Sequence, residues 1–299
     1  MGQDQRDIII IVEGGSIRGV FSAGVFSAFQ AANLYPRIHS IYAVSCGSHN
    51  AAYFLSEETD KGLIVYLDYL GRKDIFLRNL SFFRMAKQFF MMILFKRNFD
   101  VMDLTYLEDI ETKIFPLNIE KIKSSPINFY VKVLDPKSLQ IKYLDARENT
   151  IERIIQSSNM PLYASSLHQK DMYVDGGIMP TDDFIKNVVE KNLDKQIVYI
   201  LNEKKTKFSV ARSLWYDLLD IAMKTRYFGI KYGRKHLRNI MNYPYAHNLR
   251  KYPHVHLLFD DTKNYKLRVD KERALRSYQY GQTKGKDILK KLKSNLDNN

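Results

Sequence analysis

The hydrophobic pattern near the start of the chain predicts two successive strand–helix units. Residues 7–12 contain an unbroken run of isoleucine and valine, which is typical of a strand covered on both faces. After a glycine-rich stretch comes an almost wholly apolar helix at 20–34. A second apolar strand at 39–44 leads into a helix of small residues at 48–55. Two such units favour an α/β fold with a doubly wound, mostly parallel sheet flanked by helices.

Further along the chain, the pattern predicts more strands and helices of the same sheet. Alternating runs around Asp135-Pro136-Lys137-Ser138 predict a hairpin, and a helix begins near Thr150. The remaining predicted elements are a short strand ending at 175, strands at 196–201 and 254–259, a helix at 208–222 and one or two basic helices at 271–296. Because no repeat or linker divides the chain, we expect one domain over 1–299, with a basic, aromatic helical insertion at 206–252.

The segment 63–99 is predicted to be helical and mixes large apolar side chains with cations. Phe89 to Phe95 is its longest strongly apolar run, far below the roughly 20 residues that span a bilayer. The segment could form a lid or lie at a membrane interface, although core packing explains such helices more often.

Charge is distributed unevenly along the 299 residues. Residues 1–203 carry 23 Lys and Arg against 25 Asp and Glu, whereas residues 204–299 carry 23 against 8. This asymmetry indicates an anionic partner surface, either a membrane or a nucleic acid. Lys224 to Lys251 has the cations and aromatic rings that either partner would need. No recognisable nucleic-acid motif accompanies them, so we expect an anionic membrane surface and consider nucleic acid unlikely.

The most informative local pattern is Ala43-Val44-Ser45-Cys46-Gly47, between the second strand and its helix. A serine on a tight strand-to-helix turn projects its hydroxyl from the sheet, which is the build of a nucleophile elbow. The usual pattern is GxSxG, and here alanine occupies the first position. An ordinary strand–turn–helix remains the alternative at this point.

Two further patterns lie where parallel sheets bind ligands. The loop Glu13 to Gly19 lacks the spacing of nucleotide fingerprints, so its free amides suit an oxyanion, although a tight turn that needs glycine is an equal alternative. Asp175 ends a short strand just before two glycines, and its alternative role is to cap that turn. A histidine at 49, 236, 247, 254 or 256 could complete a triad, but none lies in a recognisable motif.

Together these segments resemble the patatin-like phospholipase family, in particular its bacterial, YjjU-like members. The family's GGGxRG loop corresponds to Gly14 to Gly19, its GxSxG elbow to Ala43 to Gly47, and its DGG or DGA motif to Asp175-Gly176-Gly177. The order and spacing of the three motifs also fit. The resemblance implies a patatin-like, three-layer fold and a lipid acyl hydrolase of the phospholipase A or lysophospholipase type.

The resemblance also implies roles for individual residues. Ser45 would be the nucleophile and Asp175 its direct partner, without an intervening histidine. The amides of Gly14, Gly15, Ser16 and Cys46 would form the oxyanion hole. Arg18 would either brace the loop or bind a phosphate head group of the substrate. Because Ser16 and Ala43 replace family glycines, the alternative function is a membrane-binding module on a catalytically degraded scaffold.

Other functions are constrained only weakly by the sequence. We expect no cofactor and no metal, since Asp182 and Asp183 fit an ordinary acidic turn. A single cysteine excludes an internal disulfide, and no secretory signal is evident, so we expect a cytoplasmic, peripherally membrane-associated protein, with non-classical export as an alternative. The partner is expected to be a phospholipid or another acyl ester, whereas the head group, acyl chain and oligomeric state are not specified.

Overall fold

The protein forms a mostly parallel β-sheet flanked by helices. The computed structural model describes residues 6–70, 102–160, 172–179, 182–202, 225, 229–234, 246–262 and 270–297. Its strands are β1 (Ile8–Val12), β2 (Ile38–Ala43), β3 (Asn128–Asp135), β4 (Gln140–Asp145), β5 (Val174–Asp175), β6 (Gln196–Leu201) and β7 (Val255–Phe259). Their order in the sheet is β4-β3-β2-β1-β6-β7, with β5 paired to β3.

Parallel pairing dominates the centre of the sheet. β1 lies between β2 and β6, and β2–β3 and β6–β7 are also parallel, whereas β4 and β5 each run antiparallel to β3. The strand order reverses at β1, because the chain proceeds to β2 on one side and returns to β6 on the other. Ligands of such sheets bind in the crevice beyond the carboxyl ends of the strands at this reversal.

Helices cover the sheet and connect its strands. They are α1 (Val20–Ala31), α2 (Cys46–Leu55), α3 (Thr59–Ile64), α4 (Leu104–Asp109), α5 (Ile119–Lys123), α6 (Thr150–Ser158), α7 (Asp182–Lys191) and α8 (Lys271–Asp297). π-helical turns at Val65–Tyr69 and Ile110–Ile114 continue α3 and α4. Short 3₁₀ helices occur at Ser16–Gly19, Tyr35–Arg37, Gly176–Ile178 and Ala246–Lys251.

The central strand explains why the first apolar run does not alternate with polar residues. Ile8, Ile10 and Val12 pack into a large core with α1 and α2, whereas Ile9 and Ile11 pack on the other face with residues of α7, β6 and β7. Every residue of β1 is therefore buried. The predicted strand with two covered faces is confirmed, and so is the three-layer fold.

Most predicted elements are present with small shifts of their ends. The hairpin at β3 and β4 is confirmed, and α2 begins at Cys46 rather than Ser48. Lys271 to Asp297 form a single helix rather than two. Residues 71–101, which hold most of the predicted lid segment, and the predicted helix at 208–222 lie outside the described residues, and the division into one domain with an insertion stays a prediction.

One aromatic residue within the predicted insertion at 206–252 is not available to a membrane. The side chain of Tyr232 is fully buried. It packs with Leu134, Val174 and Ile178, and its hydroxyl donates to the Ile178 carbonyl at 3.2 Å. Burial against the short strand β5, rather than contact with a membrane, accounts for this ring.

Candidate active site

Ser45 lies on a sharp turn between β2 and α2. Its backbone has φ 55° and ψ −131°, a region that non-glycine residues rarely adopt. Hydrogen bonds from Gly47 N–H to the Val44 carbonyl and from Ser48 N–H to the Ser45 carbonyl fasten the first turn of the helix. The serine thus has the strained strand-to-helix geometry that a nucleophile elbow requires.

The glycine loop after β1 packs directly against this turn. A Cβ placed on Gly14 would lie 2.9 Å from the Ser45 Cβ and 3.6 Å from its Oγ. A Cβ on Gly47 would lie 2.9 Å from the Glu13 carbonyl oxygen, so the elbow and the loop approach each other closely at two glycines. Within the described part of the chain, the Gly14 and Gly15 amides donate to no protein acceptor.

Two residues brace the loop from outside. The Asn202 side chain, buried just after β6, donates to the Glu13 carbonyl at 2.7 Å and accepts the Ser22 amide at 3.1 Å. Arg18 donates from Nε to the Gly15 carbonyl at 3.2 Å. This contact corresponds to the bracing role considered for Arg18, while substrate binding by Arg18 stays a prediction. Asn202 was not identified from the sequence, where it is only a polar residue after a strand.

Ser16 and Cys46 interact across the loop and the elbow. Ser16 has φ 53°, a left-handed conformation that costs a non-glycine residue about 1–3 kcal/mol. Its amide hydrogen-bonds to the Cys46 thiol, which also contacts the Tyr66 hydroxyl. Burial raises the pKa of Cys46 to about 12, and the negative charge of Asp175 acts in the same direction. The thiol is therefore protonated at neutral pH.

Asp175 lies at the same level of the sheet as Ser45. β2 ends with Ala43 opposite Val131, and Asp175 pairs with Val133 on that same side of β3, because β4 occupies the other side. Thus β5 lies on the same side of β3 as β2, beyond the carboxyl end of β2. Asp175 is two residues of β3, or about 7 Å, past Ala43. The carboxylate is buried, and its Oδ1 accepts the Gly177 amide at 2.7 Å, so it also caps the turn.

The end of α6 connects both predicted catalytic residues to β3. The Ser157 hydroxyl accepts the Ser45 amide at 2.9 Å and donates to the Lys132 carbonyl at 2.9 Å. Two residues later, the Asn159 carbonyl accepts the Asp175 amide at 2.9 Å. Sequence reasoning missed these residues, although a run of small polar residues at the end of a helix was a visible signal.

The buried side chain of Lys132 interacts electrostatically with Asp175. Its Nζ donates to the Met179 carbonyl at 3.2 Å, and its Cγ lies 2.6 Å from a Cβ placed on Gly176. Burial lowers the pKa of Lys132, and the negative charges of Glu13 and Asp175 oppose this effect. The cation and the aspartate are thus electrostatically coupled through the sheet.

A narrow cavity opens beside the Ser45 turn. The cavity volume is about 40 Å³, and all the open space between its walls, including the opening to solvent, is about 490 Å³. Ser16, Ser45 and Cys46 lie at one part of the wall. Much of the remaining wall is apolar and includes Tyr53, Val65, Tyr66, Leu70, Met102 and Leu107. A slender apolar chain matches this shape and composition.

Three of the histidines considered for a triad, His49, His254 and His256, are described by the structure and have structural surroundings. His254 and His256 lie just before and within the edge strand β7, where His256 Nε2 donates to the Gln196 Oε1 at 2.8 Å. β7 is three strand spacings, or about 14 Å, from β2. His49 is buried between Glu111 and Ser158, and both its ring nitrogens have partners. The His236 side chain and the His247 side chain lie outside the part that the structure describes.

Ala43, the other departure from the family pattern, fits its surroundings. It is buried at the end of β2 and pairs with Val12 and Val131 without interrupting either ladder. Asp182 begins α7. Among the described residues, no group of three His, Cys, Asp or Glu could hold a metal ion. No helix in that part of the chain combines the length and apolar character needed to cross a bilayer.

Comparisons with known proteins extend the resemblance. The chain is 26% identical over 178 residues to the uncharacterized protein YjjU of Escherichia coli (strain K12), which covers 57% of this chain and 45% of that protein. The chain thus matches less than half of this relative's length. It is similar to VipD from Legionella pneumophila, with a TM-score of 0.45, 10% identity, and coverage of 96% of this chain and 67% of VipD.

A second solved structure is the heterodimeric ExoU-SpcU complex from the type III secretion system of Pseudomonas aeruginosa. The TM-score is 0.39 with 11% identity, and the overlap covers 96% of this chain and 52% of the other. The family described as patatin-like phospholipase matches residues 10–185, which include the glycine loop, the Ser45 turn and Asp175. Because this match spans more than half of the 299 residues, the chain belongs to the patatin-like phospholipase family.

Proposed function

We propose that this protein is a lipid acyl hydrolase that cleaves carboxylic esters through Ser45 and Asp175. Family membership supports the hydrolysis of lipid esters in general. The observation that carries the finer proposal is the strained conformation of Ser45, at φ 55° and against Gly14. Such strain persists only where the surrounding structure enforces it, and it is found preferentially at functional sites.

In the proposed reaction, the Ser45 hydroxyl attacks the ester carbonyl carbon and its proton passes to the Asp175 carboxylate. The protonated aspartate then gives the proton to the departing alcohol, and an acyl-enzyme remains. Water attacks the acyl-enzyme, again with Asp175 as the proton acceptor. The bond between the acyl carbon and the Ser45 oxygen then breaks, Asp175 returns the proton to that oxygen, and the fatty acid is released. The register of β5 supports this assignment, because it brings Asp175 to the carboxyl end of β2, where the turn with Ser45 begins.

We assign the oxyanion hole to the amides of Gly14, Gly15 and Cys46. Gly14 lies against the Ser45 hydroxyl, and Cys46 is the first residue of α2, where helix amides point outward without an intrahelical acceptor. Ser16 was predicted to be a fourth donor. That role of Ser16 stays a prediction, and its left-handed backbone, at φ 53°, lies in the same loop as Gly14 and Gly15.

We further propose that cations on the last helix hold the enzyme at an anionic membrane surface in the cytoplasm. The apolar side of α8 is buried, whereas its outer face exposes Lys271, Arg276, Lys286, Lys290, Lys291 and Lys293. Each cation near an anionic leaflet contributes about 1 kcal/mol. Sedimentation with phosphatidylcholine vesicles, with and without phosphatidylserine, tests this proposal. Phosphatidylserine should increase the fraction of protein that sediments, and an equal fraction with both kinds of vesicle would contradict the proposal.

The catalytic proposal is tested with a fluorophosphonate probe and with fluorescent phospholipid substrates. Ser45→Ala and Asp175→Asn should each lower the hydrolysis rate by at least about 10³-fold. Ser124→Ala and Asp194→Asn are matched controls, because both side chains are exposed and far from the site. Wild-type protein that binds vesicles but neither reacts with the probe nor cleaves any ester would instead indicate the degraded, membrane-binding scaffold.

A further inference from the structure

Three buried polar side chains form a hydrogen-bonded chain in the wall of the cavity beside Ser45. His49 contacts the Glu111 carboxylate through Nδ1 and the Ser158 hydroxyl through Nε2, the latter at 2.7 Å. The residues come from α2, the turn after α4 and the end of α6, and all three line the cavity. The proposed reaction at Ser45 uses none of them.

This polar cluster is unusual in its position. Neighbouring wall residues such as Leu107 and Met102 are apolar, yet Glu111 is only 1% exposed. Removing a carboxylate from water is costly unless partners replace the lost hydration. Oε1 of Glu111 contacts His49, but its buried Oε2 has no hydrogen-bond partner among the described residues. Because Glu111 lines the cavity, a ligand that enters can supply the hydrogen bond that this carboxylate oxygen lacks.

From this geometry we propose that the cavity recognises an ester whose acyl chain carries a hydrogen-bond donor, a hydroxyl or an ammonium group, which binds the Glu111 carboxylate. This inference rests on the proposed function of Ser45. His49 follows Ser45 by one helical turn, about 6 Å along the axis, so a chain of about six carbon atoms reaches from the ester to the cluster. His49 and Ser158 are positioning residues. Ser158 holds His49, and His49 holds Glu111 through Oε1, so that Oε2 can accept a hydrogen bond from the ligand.

The hydrogen-bonded chain of Ser158, His49 and Glu111 also has the composition of a catalytic triad, which consists of a serine, a histidine base and an orienting acid. We assign a binding role because Ser158 is the last residue of α6. The negative end of a helix dipole disfavours the oxyanion that forms when a nucleophile attacks an ester. Mapping of the fluorophosphonate-labelled peptide tests this choice, and a label on Ser158 rather than Ser45 would overturn it.

The kinetic experiment compares p-nitrophenyl esters of hexanoate, ω-hydroxyhexanoate and ω-aminohexanoate. Wild-type protein should hydrolyse at least one of the two substituted esters with a kcat/KM about 10-fold or more above that of hexanoate, and the two arms distinguish hydroxyl from ammonium recognition. Glu111→Met should abolish the preference and retain activity on hexanoate. Glu108→Met, on the exposed face of the same helix, should keep it. Equal kcat/KM for all three esters with wild-type protein overturns the proposal, whether or not Glu111→Met folds.

A binding measurement separates this inference from the catalytic proposal. The thermal stability of Ser45→Ala is measured with hexanamide, ω-hydroxyhexanamide and ω-aminohexanamide, which cannot be cleaved as esters. A larger increase in Tm with a substituted amide supports the binding site even if wild-type protein hydrolyses nothing. Equal shifts with all three amides contradict the site even if ester hydrolysis through Ser45 is demonstrated.

Discussion

Replacing Ser157 by alanine tests how the structure enforces the strained turn at Ser45. The Ser157 hydroxyl is fully buried, accepts the Ser45 amide and donates to the Lys132 carbonyl, both at 2.9 Å. Alanine removes both hydrogen bonds and leaves an amide and a carbonyl without this partner. Each unsatisfied buried group costs about 1–3 kcal/mol, so for two groups the free energy of unfolding should fall by about 2–6 kcal/mol.

Activity should fall together with stability. The Ser45 amide is the point at which the turn is fastened to the end of α6, and its loss permits the hydroxyl to move. A displacement of about 1 Å from the productive geometry costs on the order of 10²-fold in rate. Ser157→Thr keeps the hydroxyl and should recover part of both losses.

Urea unfolding followed by circular dichroism measures the stability change, and hydrolysis of a p-nitrophenyl ester measures the rate. Ser124→Ala is the matched control, because the Ser124 hydroxyl is exposed and bonds only within its own helix, to the Glu120 and Lys121 carbonyls. Its unfolding free energy should stay within about 0.5 kcal/mol of wild type. The reasoning is refuted if Ser157→Ala is as stable and as active as this control.

Three other substitutions or measurements probe the same site. Gly14→Ala places a methyl group 2.9 Å from the Ser45 Cβ, so ester hydrolysis should fall by about 10²-fold or more with the fold retained by circular dichroism; unchanged kcat would contradict the packing. Lys132→Met removes the electrostatic interaction of Lys132 with Asp175. The charged form of Asp175 loses stabilisation, so the acidic limb of the pH–rate profile should move to higher pH, and an unmoved limb argues against coupling. Because burial raises the pKa of Cys46 to about 12, the native thiol should react with iodoacetamide about 10³-fold more slowly than in urea, and equal rates would disprove its burial.

The local elements of the site could be predicted because their signals are local. A strand covered on both faces needs an unbroken apolar run, as at 7–12, and a tight strand-to-helix turn needs small residues, as at 43–48. Asp175 before two glycines likewise marks a turn at the end of a strand, and the structure has such a strand and turn there. These features depend on contacts between residues a few positions apart.

The contacts that complete the site join residues more than a hundred positions apart. Ser157 reaches Ser45, and Asn202 reaches the loop after β1, only because β3 and β6 pair beside β2 and β1 in one register. No local pattern encodes such a register, since it follows from packing the whole sheet. The histidines illustrate the same limit, because sequence spacing alone could not exclude His254 or His256 as a partner of the serine.

The sequence by itself predicted the strands of the sheet, the helices that follow the first two strands, the helix near Thr150, the last helix, the turn at Ser45 and the resemblance to the family. Hydrophobic period and glycine placement act through the backbone of each segment and are readable without a partner. Only the tertiary structure decided that β5 lies beyond the end of β2 on the same side of β3. It alone also decided that His49, Glu111 and Ser158 meet in one cavity wall. Side chains from separate elements meet according to sheet order and packing, which the chain settles only when it folds as a whole.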